Sequence, residues 1–211
     1  MNQIDIALQS SFPSVMVPTR ELVVPMTRPG ERLLIASNGV FLEIKRPWIR
    51  LVRRLSSFEW STPVPYGEVA ELTELPCGAV PGELVAEFAR MARAALPNEV
   101  GAWIVWDRVT GRFRLVPLPS LSHSPVHLSY DRPALRDGEW LVVDCHSHGS
   151  GSAYFSKTDD RDDQHDVKFA LVLGHCHRTP SVALRFCVKG RFEPSQAVPQ
   201  KWMTALEGAV A

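Results

Sequence analysis

The chain has no surplus of charge of either sign. Its 23 lysines and arginines are cancelled by 23 aspartates and glutamates. It therefore lacks the basic footprint of sequence-independent nucleic-acid binding, and no direct binding of nucleic acid is expected. Basic residues occur only in small groups such as Arg50, Arg53 and Arg54. Cysteine is scarce as well. Cys77, Cys145, Cys176 and Cys187 form neither a CxxC pair nor a dense disulfide framework, which points to reduced thiols and a cytoplasmic protein. No apolar run approaches the roughly 18 residues that a membrane span needs. The opening MNQIDIALQSSFPSVMVP has no basic stretch followed by an apolar one, so no secretory signal is expected. Tandem repeats and long low-complexity tracts are missing too. What is present is 45% apolar residues over 211 positions, enough for one good core or for one domain with a smaller companion.

Residues 15–60 read as strands. RLLIASNGVFLEI sets apolar runs on both sides of Asn38-Gly39, a strong hairpin signal, and WIRLVRRLSSF fits a strand or a short helix. Between 61 and 81 the pattern is broken by Pro63, Pro65, Pro76 and Pro81, which places a boundary near 75–80. The chain then divides into a strand-rich N-terminal region with its linker, 1–78, and a second region, 79–211. Trp60, near the linker, is a candidate for docking the N-terminal part. In PGELVAEFARMARAALP, the residues Leu84, Phe88, Met91, Ala92, Ala95 and Leu96 fall at helical spacing, with Pro81 in the first turn and Pro97 at the end. GAWIVW and RFRLVP read as strands joined by the turn DRVTG, and VHLSY as another strand. EWLVVDC is a buried strand, followed by a loop over 149–163 that runs into a short helix. VKFALVLGHC and VALRFCVKG close a hairpin around HRTPS. This order of elements predicts an α+β or α/β sandwich with a mixed sheet. Trp103 and Trp106 are expected in the core.

The densest chemistry lies in DCHSHGSGSAYFSKTDDRDD, residues 144–163. His146 and His148 are two positions apart, so on an extended segment they share a face, and Cys145 between them turns to the core. Asp159 follows eleven positions after His148 and three after Ser156. Two imidazoles and a carboxylate, with a fourth position open, form the donor set of a catalytic zinc site. Such a site also needs a carboxylate that is not a ligand to take a proton. The H-E-x-x-H helix that would supply one is absent, so the base must come from elsewhere. Other readings stay open for these residues taken singly. The histidines can be plain polar groups at a strand exit. Asp159 can cap a helix begun by TDDRDD, with Asp160 competing as ligand. Ser156 can be a loop serine bonded to backbone, and Glu99 a solvated residue beyond a helix end. Asp162 and Asp163 suit structural roles or the orienting of a ligand imidazole. His175, Cys176 and His177, in GHCH, suggest a second metal site without a full set of partners. Cys145 or Cys176 with a histidine base is a chemical alternative as a thiol nucleophile.

The run His146-Ser-His148, ten residues, then Asp159, with Ser156 in S-x-x-D, resembles the JAMM motif of the JAB/MPN metalloprotease family over roughly 80–195. In that family the general-base glutamate lies far upstream, after the first helix and at the start of a strand. The matching place is LPNEVGAWIVW, which makes Glu99 the base. The resemblance implies a JAB/MPN-like mixed β-sheet flanked by helices. It implies Zn2+ held by His146, His148 and Asp159, with Glu99 activating the water at the zinc and Ser156 stabilising the oxyanion. It also implies hydrolysis of an amide or isopeptide bond, often at the C-terminal tail of a ubiquitin-like protein. HSHG followed by A-x-F-S-x-T-D-D-x-D-D, with an added N-terminal portion, is more narrowly similar to the A-protein family of the bacterial PRTRC system of plasmids and integrated elements. That similarity implies a ubiquitin-like protein and an E1-like protein as partners. A noncatalytic JAB scaffold in a maintenance complex and a small-molecule amidohydrolase are the other classes to weigh. One departure is Gly149, where the family often has proline; with the serine-glycine run it predicts a mobile loop over 149–155.

Overall fold

A computed structural model describes residues 2–58, 62, 64–125 and 127–210. Trp60 and Pro63, and the first residue of VHLSY, Val126, lie outside the described residues. The chain forms two compact units, residues 1–78 and 79–211.

The first unit opens with helix α1 (Gln3–Ser11), whose first turn is capped by the Asn2 side chain accepting from the Ile4 amide at 3.0 Å. Strands β1 (Ser14–Met16), β2 (Gly30–Ala36), β3 (Gly39–Lys45), β4 (Arg50–Ser56) and β5 (Leu72–Glu74) then build a five-stranded sheet in chain order. β1 runs parallel to β2 and the other neighbours are antiparallel. The hairpin expected at Asn38-Gly39 is present, one residue displaced. Ala36 pairs with Gly39, so Ser37 and Asn38 form the turn and Gly39 begins β3. Glycine is needed there because φ is +145° and a Cβ would lie 2.1 Å from the Ser56 carbonyl oxygen. The Asn38 amide group is spent on the Val69 backbone, donating at 2.9 Å and accepting at 3.1 Å. WIRLVRRLSSF contributes β4, a strand and not a helix. β5 falls inside the proline-rich stretch and adds an edge to the sheet. Val17, Leu34, Ala36, Phe41 and Val52 form a core cluster. Glu43, fully buried, is held by Arg32 at 2.6 Å and Arg50 at 3.0 Å.

The second unit contains α2 (Gly82–Ala94), β6 (Gly101–Asp107), β7 (Arg112–Pro117), β8 (Ser120–Ser124), β9 (His127–Tyr130), β10 (Glu139–Ser147), α3 (Lys157–Asp163), β11 (Val167–Gly174), β12 (Ser181–Val188), β13 (Arg191–Pro194) and α4 (Gln200–Val210). Six strands make a mixed sheet in the order β13-β12-β11-β10-β6-β7, and β8 with β9 forms a separate hairpin. This is an α+β arrangement, a mixed sheet with flanking helices, as the order of elements predicts. β10 and β11 are its one parallel pair. A parallel pair cannot be joined by a tight turn, and the crossover between them carries α3. Both strands read as apolar runs because they sit in the middle of the sheet.

α2 buries Val85, Ala86, Phe88, Ala89 and Ala92. Its buried face is wider than the stripe expected from the sequence and rotated from Leu84 and Met91 toward Val85, because the helix packs on α4 as well as on β6 and β7. The indole of Trp202 on α4 ties the pair further, donating to the Val80 carbonyl at 2.9 Å. Trp103 and Trp106 are both buried because β6 is covered on both faces, and Cys145 is buried as the alternation along β10 predicts.

Candidate metal centre

The antiparallel register of β6 and β10 builds the site. His146 pairs with Gly101, and Ser147 and Val100 exchange bonds: the Ser147 amide donates to the Val100 carbonyl at 2.9 Å and the Val100 amide to the Ser147 hydroxyl at 3.1 Å. Carried one step further, this register sets Glu99 opposite His148. Residues opposite one another share a face of the sheet, so Glu99, His146 and His148 project to the same side. Gly101, opposite His146, admits the close approach of Leu118: a Cβ there would lie 2.9 Å from a Leu118 methyl.

Asp159 reaches the same side through helix chemistry. Ser156 is the N-cap of α3, and Asp159 is the third helical residue of a reciprocal capping box. The Ser156 hydroxyl accepts from the Asp159 amide at 3.2 Å, and the Ser156 amide donates to Asp159 Oδ2 at 2.6 Å. The residue that closes the capping box is therefore also the candidate ligand. One carboxylate oxygen is fixed by backbone, and the other, Oδ1, lies 3.6 Å from His146 Nε2. His146 Nε2 and His148 Nε2 are 3.3 Å apart. His146, His148 and Asp159 offer ligand atoms all within 4.8 Å of one another. A tetrahedral ion with bonds of about 2.0–2.1 Å separates its ligand atoms by about 3.3–3.4 Å, so the three residues fit a small tetrahedral cation.

Protonation suits that fit. His148 Nδ1 lies 3.0 Å from the Ser152 carbonyl, which can only accept. A ring hydrogen therefore sits on Nδ1, which turns Nε2 toward His146 Nε2. The ring of Tyr154 packs edge-on against His148, with centroids 4.6 Å apart. Burial lowers the His146 pKa to about 4, with the opposing pull of Asp159 smaller, so this imidazole is neutral near pH 7. Glu99 is buried in the same cavity, and burial first, then the charge of Asp159, raises its pKa to about 7. Its amide donates to the Ser124 carbonyl at 3.0 Å. The cavity is about 430 Å³ and is lined by all five of Glu99, His146, His148, Ser156 and Asp159, together with aromatic and aliphatic walls from Tyr130, Leu128 and Tyr154. No lysine or arginine is among its described lining residues.

The alternatives that the sequence left open narrow, and the structural reading of Asp163 holds. Asp163 does not orient an imidazole; its carboxylate is taken by Lys168 at 2.8 Å and Arg185 at 2.8 Å, and the Ser152 carbonyl orients His148 instead. Asp162 is exposed at the cavity wall. Asp160 turns away from the histidines to Arg185, at 2.5 Å. His175 and His177 have ring centroids 6.2 Å apart and, among the described residues, belong to no three-donor set. Cys145 and Cys176 are buried, and burial raises both thiols, Cys176 to about 11, which leaves neither a ready nucleophile.

The glycines of the 149–155 loop serve close packing. Gly149 has φ +51°, and a Cβ there would meet the Pro97 carbonyl oxygen at 2.7 Å. The loop is tied to the end of β11 by the His175 and Cys176 amides, which donate to Gly151 and Gly149 at 2.6 and 2.8 Å, and by the Ala153 amide to the Ser181 hydroxyl at 3.1 Å. Sequence reading missed Lys168 and Arg185. A signal was present: each is a cation inside an otherwise apolar strand, and such residues are rarely buried unpaired.

Comparison with known proteins matches two parts of the chain. Residues 81–187, just over half of it, match the profile of the prokaryotic homologs of the JAB domain, and residues 2–76 match a domain of unknown function, DUF2016. No curated protein matches the chain. Among solved structures it is similar to the solution structure of protein DSY2949 from Desulfitobacterium hafniense, at 21% identity and a TM-score of 0.43, over 56% of this chain and 89% of that one.

Proposed function

The chain belongs to the prokaryotic homologs of the JAB domain, and from that premise we propose that it is a zinc-dependent hydrolase of amide or isopeptide bonds. The observation that carries the reading is the convergence of His146 Nε2, His148 Nε2 and Asp159 Oδ1 in one cavity with a buried, non-ligating Glu99. His146, His148 and Asp159 would hold the ion. When bound, zinc supplies a Lewis acid that polarises a carbonyl and acidifies water. Glu99, with its pKa near 7, takes a proton from the attacking water and hands it to the leaving amine. The Ser156 oxygen already accepts from the Asp159 amide, which leaves its own hydroxyl hydrogen to donate to the carbonyl oxygen as that oxygen gains charge.

The narrower reading rests on the motif. The substrate is an extended C-terminal tail of a ubiquitin-like protein, in a PRTRC-type system with an E1-like partner, in the cytoplasm. Free cysteines, three of them buried, suit a reducing compartment. A second reading, hydrolysis of a small amide, is favoured by the cavity, whose 430 Å³ lies in the range of small-ligand pockets.

Glu99→Gln tests the reading. It keeps shape and hydrogen bonding but cannot accept the proton. Zinc content should be unchanged while turnover of a ubiquitin-like fusion or a small amide falls about 10²- to 10⁴-fold. Full turnover in the variant would overturn the base; loss of zinc would make Glu99 part of the metal-holding set. The substrate turned over by the parent protein decides between tail and small amide.

A further inference from the structure

Four of the seven residues of α3 are aspartates: Asp159, Asp160, Asp162 and Asp163. Like charges at such spacing oppose a helix, and a helix this short has little stability of its own. Yet it carries the third ligand of the proposed metal site, and its cap is the proposed oxyanion donor. Something outside the helix must hold it.

Arg185, on β12, is buried and reaches the segment at three points. Its guanidinium carbon lies 4.0 Å from the ring centroid of Phe155, the residue before the cap, with Phe192 of β13 on a second ring contact at 4.1 Å. Its Nη1 donates to Asp160 Oδ1 at 2.5 Å and its Nη2 to Asp163 Oδ2 at 2.8 Å. The contacts at 155, 160 and 163 bracket Ser156 and Asp159. Asp163 is shared with Lys168 of β11, whose Nζ also meets Asp144 at 2.6 Å. Asp144 stands two residues before His146 on β10. Two buried cations thus tie α3 to the strand that bears the histidines.

We infer that Arg185 is a positioning residue: by clamping α3 at both ends it sets the Asp159 carboxylate and the Ser156 hydroxyl against His146 and His148. The inference rests on the hydrolase reading for its functional meaning, but its structural content stands apart from it. Arginine is required and not just a positive charge. Only a planar fork can reach two carboxylates in different directions while lying against aromatic rings.

The test uses the full chain, metal-free and zinc-loaded, as Arg185→Gln, Arg185→Lys and Asp160→Ala. In metal-free Arg185→Gln, the Asp159 and Asp160 amides, bonded to Ser156 in the parent, should exchange at least about tenfold faster, while β10 and β11 amides keep their protection. Zinc affinity, by competition with a chromogenic chelator and counted per folded chain, should fall about 10- to 100-fold, the range for loss of groups that orient ligands. kcat should fall with KM little changed. Unaltered α3 exchange and zinc affinity would overturn the inference, and full rescue by lysine would overturn the requirement for the fork. If Arg185→Gln does not fold, Asp160→Ala decides, because it removes the acceptor of one arm at a half-exposed carboxylate. Faster α3 exchange in a folded chain supports the clamp, and parent-like exchange overturns it. The exchange readout needs no turnover. Inactivity of the parent protein therefore counts against the hydrolase reading alone, and the clamp is still decided.

Discussion

The two sheets each bury a charge within an apolar strand, with opposite signs. In the first unit, Glu43 lies between Arg32 and Arg50, Arg50 also reaches Glu74, and Arg32 bonds the Val24 carbonyl. The carboxylate is matched by guanidinium groups on neighbouring strands, and the network closes on itself. In the second unit, Lys168 lies among Asp144, Asp163 and Asp166. Burial alone would depress its pKa, but Asp144 and Asp163 hold it well above the ordinary lysine value, so it stays charged. Here carboxylates outnumber the cations. Beside them Asp159, with Oδ2 bonded to backbone, turns Oδ1 toward the imidazole of His146. A closed network fastens strands. An open one, with donor atoms left over in a cavity, can take a cation.

Removing the open network's imidazoles should have the largest effect. Zinc-loaded, desalted protein should carry close to one zinc per chain by elemental analysis, and His146→Ala with His148→Ala should carry none. Full zinc content in that double variant would move the site elsewhere, with His175 and His177 examined first. The closed network should answer differently. Glu43→Leu strands Arg32 in a buried position, a loss of the kind that costs about 3–5 kcal/mol. Hydrogen exchange along β2–β4 should accelerate accordingly, with zinc content unchanged; a change in zinc content would break the contrast.

The smallest effect is a pH dependence of the metal-free protein. The folded-state pKa of Glu99, about 7, lies above its ordinary value of 4.5. The native state therefore holds the extra proton between those values. The stability this provides is complete below pH 4.5 and is lost as pH rises to 7 and beyond. Glu99→Gln should flatten that slope and gain at most about 3 kcal/mol at pH 8 in denaturant titrations. An unchanged slope would mean that Glu99 is more solvated than its position indicates.

Much of this was legible locally. The i, i+2 histidines needed only the alternation of a strand, and the helix before Glu99 showed in its apolar spacing. The hairpin of β2 and β3 was legible to within one residue, and the error has a cause: Gly39 answers to the approach of Ser56, a contact invisible in the turn itself. The helices α1 and α4 and the strands β5, β8 and β13 were not legible. They are short elements at edges and ends, where pattern is brief and packing decides. The expectation of a mobile glycine loop came from composition. The same glycines admit the backbone of Pro97 and the tie to β11.

The sequence by itself determined the donor set: two imidazoles on one strand face, and a serine and an aspartate at capping-box spacing. Those outcomes depend on φ/ψ periodicity and hydrogen bonds within a few residues. Only the tertiary structure decided that Asp159 would both cap and face the histidines, that the β6–β10 register would set Glu99 opposite His148, and that Arg185 and Lys168 would hold an acidic helix in place. Those outcomes depend on strands and helices distant in sequence, and on charges that become tolerable in the interior only when their partners arrive from other elements.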